Sequence, residues 1–279
     1  MNIGIIGKSQ NQETMNIVNE IKKILIQNQI NFKLYPPLPL EDNLIQKPKN
    51  KDGFIEDIII CIGGDGTILR TLHYIQNRDI PIFGIGIGRK NFLASADENN
   101  YIDALNAVIN GDYKIDERMC IQISKNNEVF SPILNEVYVT SKLPGKMIDI
   151  QLSVNRGNQL TRLLSFRGDG IIVSTQTGSS AYSLAAGGAL IDPHLSVLAV
   201  TPVCASIYNP PLILNSQEEI VINLGDKEEG LMICDGHLLN EIKQYEKVNV
   251  IKSSETAKFI NFAKDPKLAY IIKGLQVML

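Results

Sequence analysis

The sequence has no tryptophan, only three histidines and only four cysteines in 279 residues. The cysteines are far apart and form no C-x-x-C pair, and the histidines show no metal-ligand spacing. The sequence therefore predicts neither a disulfide framework nor a metal centre built from these residues. Each cysteine lies in an apolar run, and we expect all of them to be buried, reduced thiols: Cys61, Cys120, Cys204 and Cys234.

Dense positive charge and long apolar segments are also missing. The formal net charge is −3, and no basic cluster gives the electrostatic footprint of a nucleic-acid-binding protein. No stretch approaches the roughly 18 consecutive apolar residues of a membrane-spanning helix. The chain opens with a strand pattern at Asn2–Gly7, where a signal peptide would need a charged and then an apolar segment. We expect a cytoplasmic protein with no nucleic-acid or membrane partner.

The most informative segment is a glycine loop between a strand and a helix. The apolar run Ile58–Ile62 predicts a buried strand, and Gly63-Gly64-Asp65-Gly66-Thr67 follows it. Glycines let the backbone bend sharply and bring N–H groups close to an anion, and a helix N-terminus favours phosphate. The loop is therefore predicted to bind phosphate through Gly63, Gly64, Gly66 and Thr67. The helix is indicated by apolar residues at helical spacing: Ile68, Leu69, Leu72 and Ile75.

An acid in the middle of a phosphate-binding loop is unexpected, because Asp65 would repel phosphate at close range. The residue type fits if the carboxylate binds Mg²⁺ or takes a proton from a hydroxyl group that attacks phosphorus. The alternative is that Asp65 only caps the helix and that the glycines form an ordinary strand-to-helix turn. The loop alone is compatible with both interpretations.

Residues 1–97 alternate between strand and helix patterns, which predicts an α/β domain with a parallel, Rossmann-like sheet. One predicted helix has an apolar face formed by Met15, Val18, Ile21 and Leu25. The proline-rich segment 36–52 is predicted to be a loop, and loops of this length are often functional lids. Besides Asn2–Gly7 and Ile58–Ile62, strands are predicted at Phe32–Tyr35 and Pro81–Ile87.

Residues 98–262 are predicted to form a β-rich domain, a two-layer β-sandwich, after one short helix at Asn99–Asn110 that Gly111 closes. A single helical interruption is predicted from Ser179 to Gly187. The strands follow from alternating apolar and polar residues: Met119–Ser124, Val129–Thr140, Ile148–Val154, Gln159–Phe166, Ile171–Ser174, Val197–Thr201, Glu219–Leu224, Leu231–Asp235, Val248–Lys252 and Lys258–Phe262.

Three polar motifs lie among these apolar strands. Asn135-Glu136 interrupts one of them, and adjacent side chains on a strand point to opposite faces, so at most one can face solvent if the other faces a site or the core. The small hydroxyl residues from Ser174 to Ser180, followed by Tyr182, leave room for a planar base and offer a ring for stacking. Arg167-Gly168-Asp169-Gly170 has the composition of a turn with a local ion pair. Purely structural interpretations also exist: an edge strand, a capped helix and a hairpin turn, respectively.

In their order and spacing these motifs resemble those of NAD kinases. The segment from Gly63 to Thr67 matches the GGDGT signature of a kinase superfamily that also contains diacylglycerol and sphingosine kinases and, more distantly, phosphofructokinases. Similarity to NAD kinases in particular extends from Ile3 to Phe262. It depends on the segments Leu134–Val137, Arg167–Gly170, Thr177–Ser183 and Gly187-Gly188.

The resemblance implies an enzyme that transfers a phosphoryl group from ATP, with Mg²⁺, to the 2′-hydroxyl of the adenosine ribose of NAD. It implies Asp65 as the catalytic base, and Asn135 and Glu136 as ligands of ribose hydroxyls. Asp169 would reach the nicotinamide half of a dinucleotide on a neighbouring subunit, which requires a homo-oligomer, a dimer or a tetramer. Residues 263–279 would return to complete the first domain. The implied NAD-binding residues are Gly66, Asn135, Glu136, Asp169, Thr177, Ser180, Ala181 and Tyr182.

The chain departs from the family pattern in two places. Where many NAD kinases have Asn, Gly, Leu and Gly before Phe-Leu, this chain has Gly86, Gly88, Lys90 and Asn91 before Phe92-Leu93. Where an arginine commonly precedes a proline, this chain has Asn209 before Pro210. The first departure concerns contacts to phosphate or nicotinamide, and the second removes a cation that would have touched negative charge.

Two other classes of function are compatible with parts of the sequence. A lipid kinase of the diacylglycerol or sphingosine type shares the GGDGT loop, but it lacks the Asn-Glu and Thr-Gly-Ser-Ser-Ala-Tyr motifs that would hold an adenosine. A non-catalytic NAD(P)-binding sensor would keep the adenosine site but would have no use for Asp65. The presence of all the motifs in one chain favours the NAD kinase.

Overall fold

The structure, a computed structural model, describes residues 1–7, 12–36, 55–75, 77–88, 91–126, 128–157, 159–226 and 228–262. These residues form two compact units. Unit 1 contains the described residues up to Arg118 together with 257–262, and unit 2 contains those from Met119 to Thr256. The candidate lid beyond Pro36 and the tail 263–279 lie outside the described residues.

Unit 1 contains a parallel sheet with helices between its strands, as the alternating pattern predicts. The strands pair in the order β2-β1-β3-β4, all in parallel, and the short β5 pairs with β4. Phe259, near the end of the last strand of the chain, pairs in parallel with Ile82. The elements are β1 (Asn2–Gly7), α1 (Gln12–Gln27), β2 (Asn31–Leu34), β3 (Ile58–Ile62), α2 (Asp65–Tyr74), β4 (Ile82–Gly86), β5 (Ala96–Asp97) and α3 (Tyr101–Asn110).

The core of unit 1 is formed by the sheet and the apolar faces of its helices. Strands β3 and β4 are buried throughout, as expected for central parallel strands covered on both faces. The prediction that Met15 belongs to the buried face of α1 is wrong, since this side chain is 49% exposed. At 3.6 residues per turn, Thr14 lies closer to the centre of the stripe than Met15 does. The buried residues of α1 are Thr14, Ile17, Val18, Ile21 and Leu25.

Unit 2 has two antiparallel sheets around one apolar core, as predicted for a two-layer β-sandwich. One sheet has the strand order β13-β12-β11-β8-β15-β16. In the other, β9 lies between β10 and β14, and β14 also pairs with the first part of β17. The elements are β6 (Lys114–Lys125), β7 (Glu128–Val129), β8 (Glu136–Ser141), β9 (Ile148–Arg156), β10 (Gln159–Gly168), β11 (Gly170–Thr175), a 3₁₀ turn (Gly178–Ser180), α4 (Tyr182–Ala185), β12 (Val197–Val203), β13 (Leu212–Asn215), β14 (Glu219–Leu224), β15 (Gly230–Cys234), β16 (Leu238–Ile242) and β17 (Lys247–Asn261).

Several predicted elements of the second domain are wrong in their extent. Val129–Thr140 is not one strand, because Pro132 has no N–H for a ladder and only an isolated bridge forms between Ile121 and Ile133. The predicted helix from Ser179 is a 3₁₀ turn and one turn of α-helix, since Ala181 between them has a non-helical ψ of −129°. The two predicted final strands are a single strand, β17, and β13 and β16 were missed.

The division between the units falls after Arg118 and before Ala257, whereas the sequence-based boundaries are 97/98 and 262/263. Helix α3 is part of unit 1 because Tyr101, Leu105 and Val108 pack in the same apolar core as β1 and β3. The helix ends at Gly111, whose φ of +79° gives the left-handed cap that glycine favours. Among the described helices, none is both long and apolar enough to cross a membrane.

Candidate active-site residues

The glycine loop lies where β3 ends and α2 begins, at the carboxyl edge of the parallel sheet. Gly64 is the N-cap residue of α2 and Asp65 is the first helical residue. Gly63 has a φ of +155°, and a Cβ at this position would lie 2.6 Å from Thr67 Oγ1, so the loop requires glycine here. The N–H of Thr67 donates to the carbonyl of Gly64 at 2.8 Å and closes the turn. The predicted phosphate-loop residues thus lie together in one tight turn.

The carboxylate of Asp65 does not cap α2. It is held from another segment, because Oδ2 accepts a hydrogen bond from Phe92 N–H and Oδ1 accepts one from Leu93 N–H, both at 2.9 Å. The N-cap position is Gly64, and no side-chain capping bond forms there. Each carboxylate oxygen keeps acceptor capacity beyond its one amide bond. The group is therefore fixed in orientation and can still accept a proton.

Burial raises the pKa of Asp65, and three favourable contacts oppose that shift: the amides of Leu93 and Phe92 and the charge of Arg118. The Arg118 side chain is only 12% exposed, its Nε donates to Asp116 Oδ2 at 2.9 Å, and its guanidinium lies 4.9 Å from the ring centroid of Phe259. Burial lowers the pKa of Arg118 to about 10, which leaves it a cation at neutral pH. Sequence reasoning missed Arg118, because no motif connects it with Asp65.

The turn after β4 contains the first departure from the family pattern. A Cβ on Gly86 would lie 2.6 Å from Asn91 Cγ, so the Asn91 carboxamide fills the space beside this glycine. Asn91 Nδ2 donates to the Gly88 carbonyl at 2.9 Å, and Gly88 N–H donates to Glu98 Oε1 at 3.1 Å. The other carboxamide atom, Asn91 Oδ1, is buried and has no hydrogen-bond partner.

In unit 2 the Asn-Glu motif lies at the start of β8 and is held by an acid that sequence reasoning missed. Asp235 is 2% exposed, and its Oδ1 accepts from Asn135 N–H at 2.7 Å and Glu136 N–H at 3.3 Å. Its Oδ2 accepts from Leu134 N–H at 3.1 Å. Asp235 N–H in turn donates to the Glu136 carbonyl at 3.0 Å. Asp235 has a φ of +49°, so a left-handed turn aims its carboxylate at the backbone of the motif.

Both side chains of the Asn-Glu motif are buried, Asn135 at 8% and Glu136 at 6% exposure. Burial raises the pKa of Glu136 to about 8, and the charge of Asp235 adds to the shift. The same two acids raise the pKa of the Cys234 thiol, for which burial is the largest cause. The predicted edge-strand alternative does not describe this position, because β8 is a central strand with β11 on one side and β15 on the other.

Four buried polar atoms at the start of β8, in β11 and just after it have no hydrogen-bond partner: Glu136 Oε2, Ser174 Oγ, Gln176 Oε1 and Thr177 Oγ1. Glu136 and Ser174 are register partners across β8 and β11, and Gln176 and Thr177 follow β11 directly. A buried polar atom without a partner costs about 1–3 kcal/mol, so such atoms are rarely grouped without a reason. Their unused hydrogen-bonding capacity suits the hydroxyl and amino groups of a ligand.

The turn after β11 packs against the Asn-Glu motif. A Cβ on Gly178 would collide with the Asn135 backbone, and Thr175 Oγ1 donates to the Leu134 carbonyl at 2.6 Å. No side-chain capping bond forms at Thr177, whereas Ser180 Oγ donates to its carbonyl at 3.3 Å. The Tyr182 ring is 46% exposed and meets Tyr138 edge to face at 5.3 Å. The segment that contains Thr177, Ser180, Ala181 and Tyr182 thus packs on β8 and the residue before it, through Gly178 against Asn135 and Tyr182 against Tyr138.

Asp169 lies between β10 and β11, which belong to different sheets, so the Arg-Gly-Asp-Gly segment is a corner and not a hairpin turn. Arg167 pairs with Asp149 at 3.8 Å rather than with Asp169. The Asp169 carboxylate accepts a hydrogen bond from the Cys204 thiol and raises the pKa of that thiol. The prediction that Cys204 is buried is wrong, because β12 ends at Val203 and Cys204 is exposed in a left-handed turn with a φ of +46°.

Comparisons with known proteins agree with this arrangement. Residues 3–113 match the family model of the ATP-NAD kinase N-terminal domain, and residues 134–262 match that of the ATP-NAD kinase C-terminal domain. In fold, the chain is similar to the crystal structure of an NAD kinase from Archaeoglobus fulgidus in complex with ATP, with a TM-score of 0.78, 24% identity and 99% of each chain covered. It is also similar to yeast NADH kinase complexed with NADH, with a TM-score of 0.83, 18% identity and 99% and 87% of the two chains covered.

The two family models, which together cover most of the chain, define the class, ATP-NAD kinases. Among curated relatives, the NAD kinase of Methanothermobacter thermautotrophicus is 34% identical over 95% of this chain and 93% of its own length. The NAD kinase of Thermococcus sibiricus is 31% identical over 98% of both chains. The chain belongs to the NAD kinase family, and its activity is the phosphorylation of NAD to NADP.

Proposed function

We propose that the chain transfers the terminal phosphoryl group of ATP, with Mg²⁺, to the 2′-hydroxyl of the adenosine ribose of NAD, and that Asp65 is the general base. A 2′-hydroxyl has a pKa far above 7 and needs a base at the moment of attack. The observation that carries the proposal is the fixed carboxylate of Asp65, held by Phe92 N–H and Leu93 N–H beside the glycine loop. A base held in this way needs no reorganisation when the hydroxyl attacks.

The proposed roles in unit 2 follow from the buried polar atoms. Asn135 can donate and accept through its amide, and Glu136 can bind a ribose hydroxyl through the oxygen that has no partner. The small residues Ser180 and Ala181 leave room for adenine, and the half-exposed Tyr182 ring offers a surface for stacking. Thr177 would contribute its unpartnered hydroxyl. Gly66, in unit 1, would contribute backbone close to Asp65.

Mg²⁺ needs few protein ligands when phosphates supply the others. Within the part of the chain that the structure describes, no three His, Cys, Asp or Glu side chains are grouped so as to hold a metal ion. We therefore infer that the phosphates of ATP and water provide most of the coordination. The ion would neutralise negative charge on the transferred group.

A shared site is the reason to propose a homo-oligomer, a dimer or a tetramer. By its motif, Asp169 serves the nicotinamide half of a dinucleotide bound to a neighbouring subunit, and identical chains that share a site usually form closed, symmetric assemblies. Light scattering combined with activity along a dilution series tests this, and full activity in a stable monomer would refute it. None of the four cysteines, all of which lie among the described residues, forms a disulfide. This suits a reducing compartment, and we propose the cytoplasm.

The experiment that tests the function is an incubation with NAD, ATP and Mg²⁺ in which NADP is detected by an NADP-specific dehydrogenase. We expect NADP to form with the wild-type protein and to be nearly absent with Asp65→Asn. Omitting ATP or Mg²⁺, or replacing ATP by polyphosphate, identifies the donor and the metal requirement. Binding of NAD without any NADP formation would instead favour a sensor, and phosphorylation of diacylglycerol in vesicles would favour a lipid kinase.

A further inference from the structure

The Asn91 side chain is the unexplained feature of unit 1. It directly precedes Phe92 and Leu93, the residues whose N–H groups hold the Asp65 carboxylate. Its Oδ1 is buried without a hydrogen-bond partner. An acceptor atom left in this state within the fold costs stability unless something else binds it. The position of the atom therefore points to a ligand.

The orientation of the carboxamide is determined by its surroundings. The carbonyl of Gly88 can only accept, so the atom that faces it at 2.9 Å must be the donor Nδ2. Oδ1 then lies on the other side of the group, 3.6 Å from the place where a Cβ would stand on Gly64. Gly64 immediately precedes Asp65, and the free acceptor therefore lies against the glycine loop.

An acceptor oxygen at this place selects the chemistry of its partner. Phosphate oxygens at neutral pH accept hydrogen bonds and would be repelled, whereas O–H and N–H groups donate. Because Asp65 is proposed to take a proton from a hydroxyl group, an O–H group is the donor expected beside it. We propose that Asn91 is a substrate-binding residue, whose Oδ1 accepts a hydrogen bond from an O–H group beside Asp65, and that its carboxamide replaces a side chain at position 86. The inference depends on the proposed role of the Asp65 loop. The O–H group belongs to a nucleotide ribose or to a water molecule on Mg²⁺.

The competition between positions 86 and 91 is visible in the packing. A Cβ on Gly86 would lie 2.6 Å from both Cγ and Nδ2 of Asn91, so the two positions compete for one volume. One carboxamide can occupy it from either position, but two cannot.

A double-mutant cycle tests this proposal with Gly86→Asn, Asn91→Gly and the double variant. We expect Gly86→Asn alone to lower the melting temperature, because its side chain meets Asn91. Asn91→Gly alone should weaken substrate binding roughly tenfold, the usual effect of one lost hydrogen bond to a buried group. The double variant should recover both the melting temperature and the substrate binding, because one carboxamide again occupies the shared volume. If Gly86→Asn does not fold, Gly86→Ala introduces only the Cβ and tests the same competition.

The control is Asn28→Gly at the C-terminal end of α1. Asn28 Nδ2 also donates to a backbone carbonyl, that of Ile24 at 2.9 Å, and the residue is exposed. This variant should lower the melting temperature slightly and leave NAD binding unchanged. If the loss of any asparagine had the same general effect, Asn28→Gly and Asn91→Gly would change NAD binding to the same extent.

Calorimetric titrations of NAD with and without Mg²⁺ identify the O–H group. Weaker binding of NAD to Asn91→Gly in the absence of metal assigns it to a ribose, and weaker binding only with Mg²⁺ and ATP assigns it to a metal-bound water. Unchanged binding in every titration, or a double variant no better than the worse single variant, would overturn the proposal. Failure of the wild type to form NADP would refute the proposed function instead, and the melting-temperature cycle would still report on the competition between positions 86 and 91.

Discussion

Asp65 in unit 1 and Asp235 in unit 2 make the same kind of contact in different surroundings. Each is an acid whose carboxylate accepts backbone N–H groups from a segment remote in sequence: Phe92 and Leu93 for Asp65, and Leu134 to Glu136 for Asp235. Asp65 is partly exposed and has the cation Arg118 nearby. Asp235 is almost fully buried and has the acid Glu136 nearby.

The difference separates a reacting group from a supporting group. A carboxylate with two amide bonds, some exposure and a neighbouring cation is oriented and accessible, so it can receive a proton from a substrate. A carboxylate with three amide bonds and almost no exposure has most of its acceptor capacity used within the fold and is hardly accessible to a substrate. We infer that Asp65 takes part in the reaction, while Asp235 holds the Asn-Glu motif in place.

The largest effect is expected for Asp65→Asn. The amide cannot act as a base, so turnover should fall by about two orders of magnitude or more, while the fold persists. Steady-state kinetics with saturating NAD and ATP measure this. Asp103→Asn is the matched control, an exposed acid in the first turn of α3. Turnover near the wild-type value would assign Asp65 to a structural role and remove the contrast with Asp235.

Asp235→Asn should mainly cost stability. Asparagine tolerates the left-handed backbone of this position, so the change tests the carboxylate rather than the turn. The NH₂ group of the introduced asparagine would face backbone N–H donors and could not accept a hydrogen bond from them. The loss of one charge-assisted hydrogen bond is expected to lower the free energy of unfolding by about 1.5–3 kcal/mol. Urea denaturation followed by circular dichroism measures the loss. Unchanged stability would mean that the three backbone bonds do not support the motif.

The contrast also shows which parts of the molecule the sequence reveals. The strands at Asn2–Gly7 and Ile58–Ile62 and the glycine loop were predicted correctly, because hydrophobic periodicity and glycine spacing are local signals. Asp235 was predicted only as the last residue of a strand. Its role depends on a contact with residues a hundred positions away, and no local pattern encodes such a contact.

Errors in the β-rich part have two origins. Val129–Thr140 was predicted as one strand from its alternating apolar and polar residues, although Pro132, which has no N–H for a ladder, is visible in the sequence. The other errors are non-local. Cys204 was predicted to be buried because its neighbours in sequence are apolar, but the chain turns at the end of β12 and exposes it. Arg118 was missed because its contact with Phe259 and its effect on the pKa of Asp65 depend on the tertiary fold.

Glu136→Gln should change how stability depends on pH. The pKa of Glu136 is raised from 4.5 to about 8 in the folded chain, so the folded state keeps a proton that the unfolded state has lost. This contribution to stability is fully present below the unfolded pKa of 4.5, declines as the pH rises towards about 8 and is lost above it. Relative to the wild type, the variant should gain about 2–3 kcal/mol between pH 6 and pH 9, because each pH unit between the two pKa values is worth about 1.4 kcal/mol. Thermal melts across this range measure it, with exposed Glu128→Gln as the control. A stability difference between the variant and the wild type that does not change with pH would contradict the raised pKa of Glu136.

The smallest effect is expected for Arg118→Met, which makes the surroundings of Asp65 more like those of Asp235. The cation lowers the pKa of Asp65, so its removal should raise that pKa further. The acid limb of the turnover-against-pH profile should therefore move to higher pH. The exposed Arg156→Met is the control. A profile that moves to lower pH, or does not move, would show that Arg118 does not act on Asp65.

The most direct test of the distinction between the two acids is a calorimetric titration of NAD into Asp65→Asn and Asp235→Asn. If Asp65 serves the reaction and Asp235 supports the Asn-Glu motif, the first variant binds NAD within about threefold of the wild type, and the second binds it about tenfold more weakly or worse. Loss of NAD binding in Asp65→Asn together with normal binding in Asp235→Asn would contradict the account.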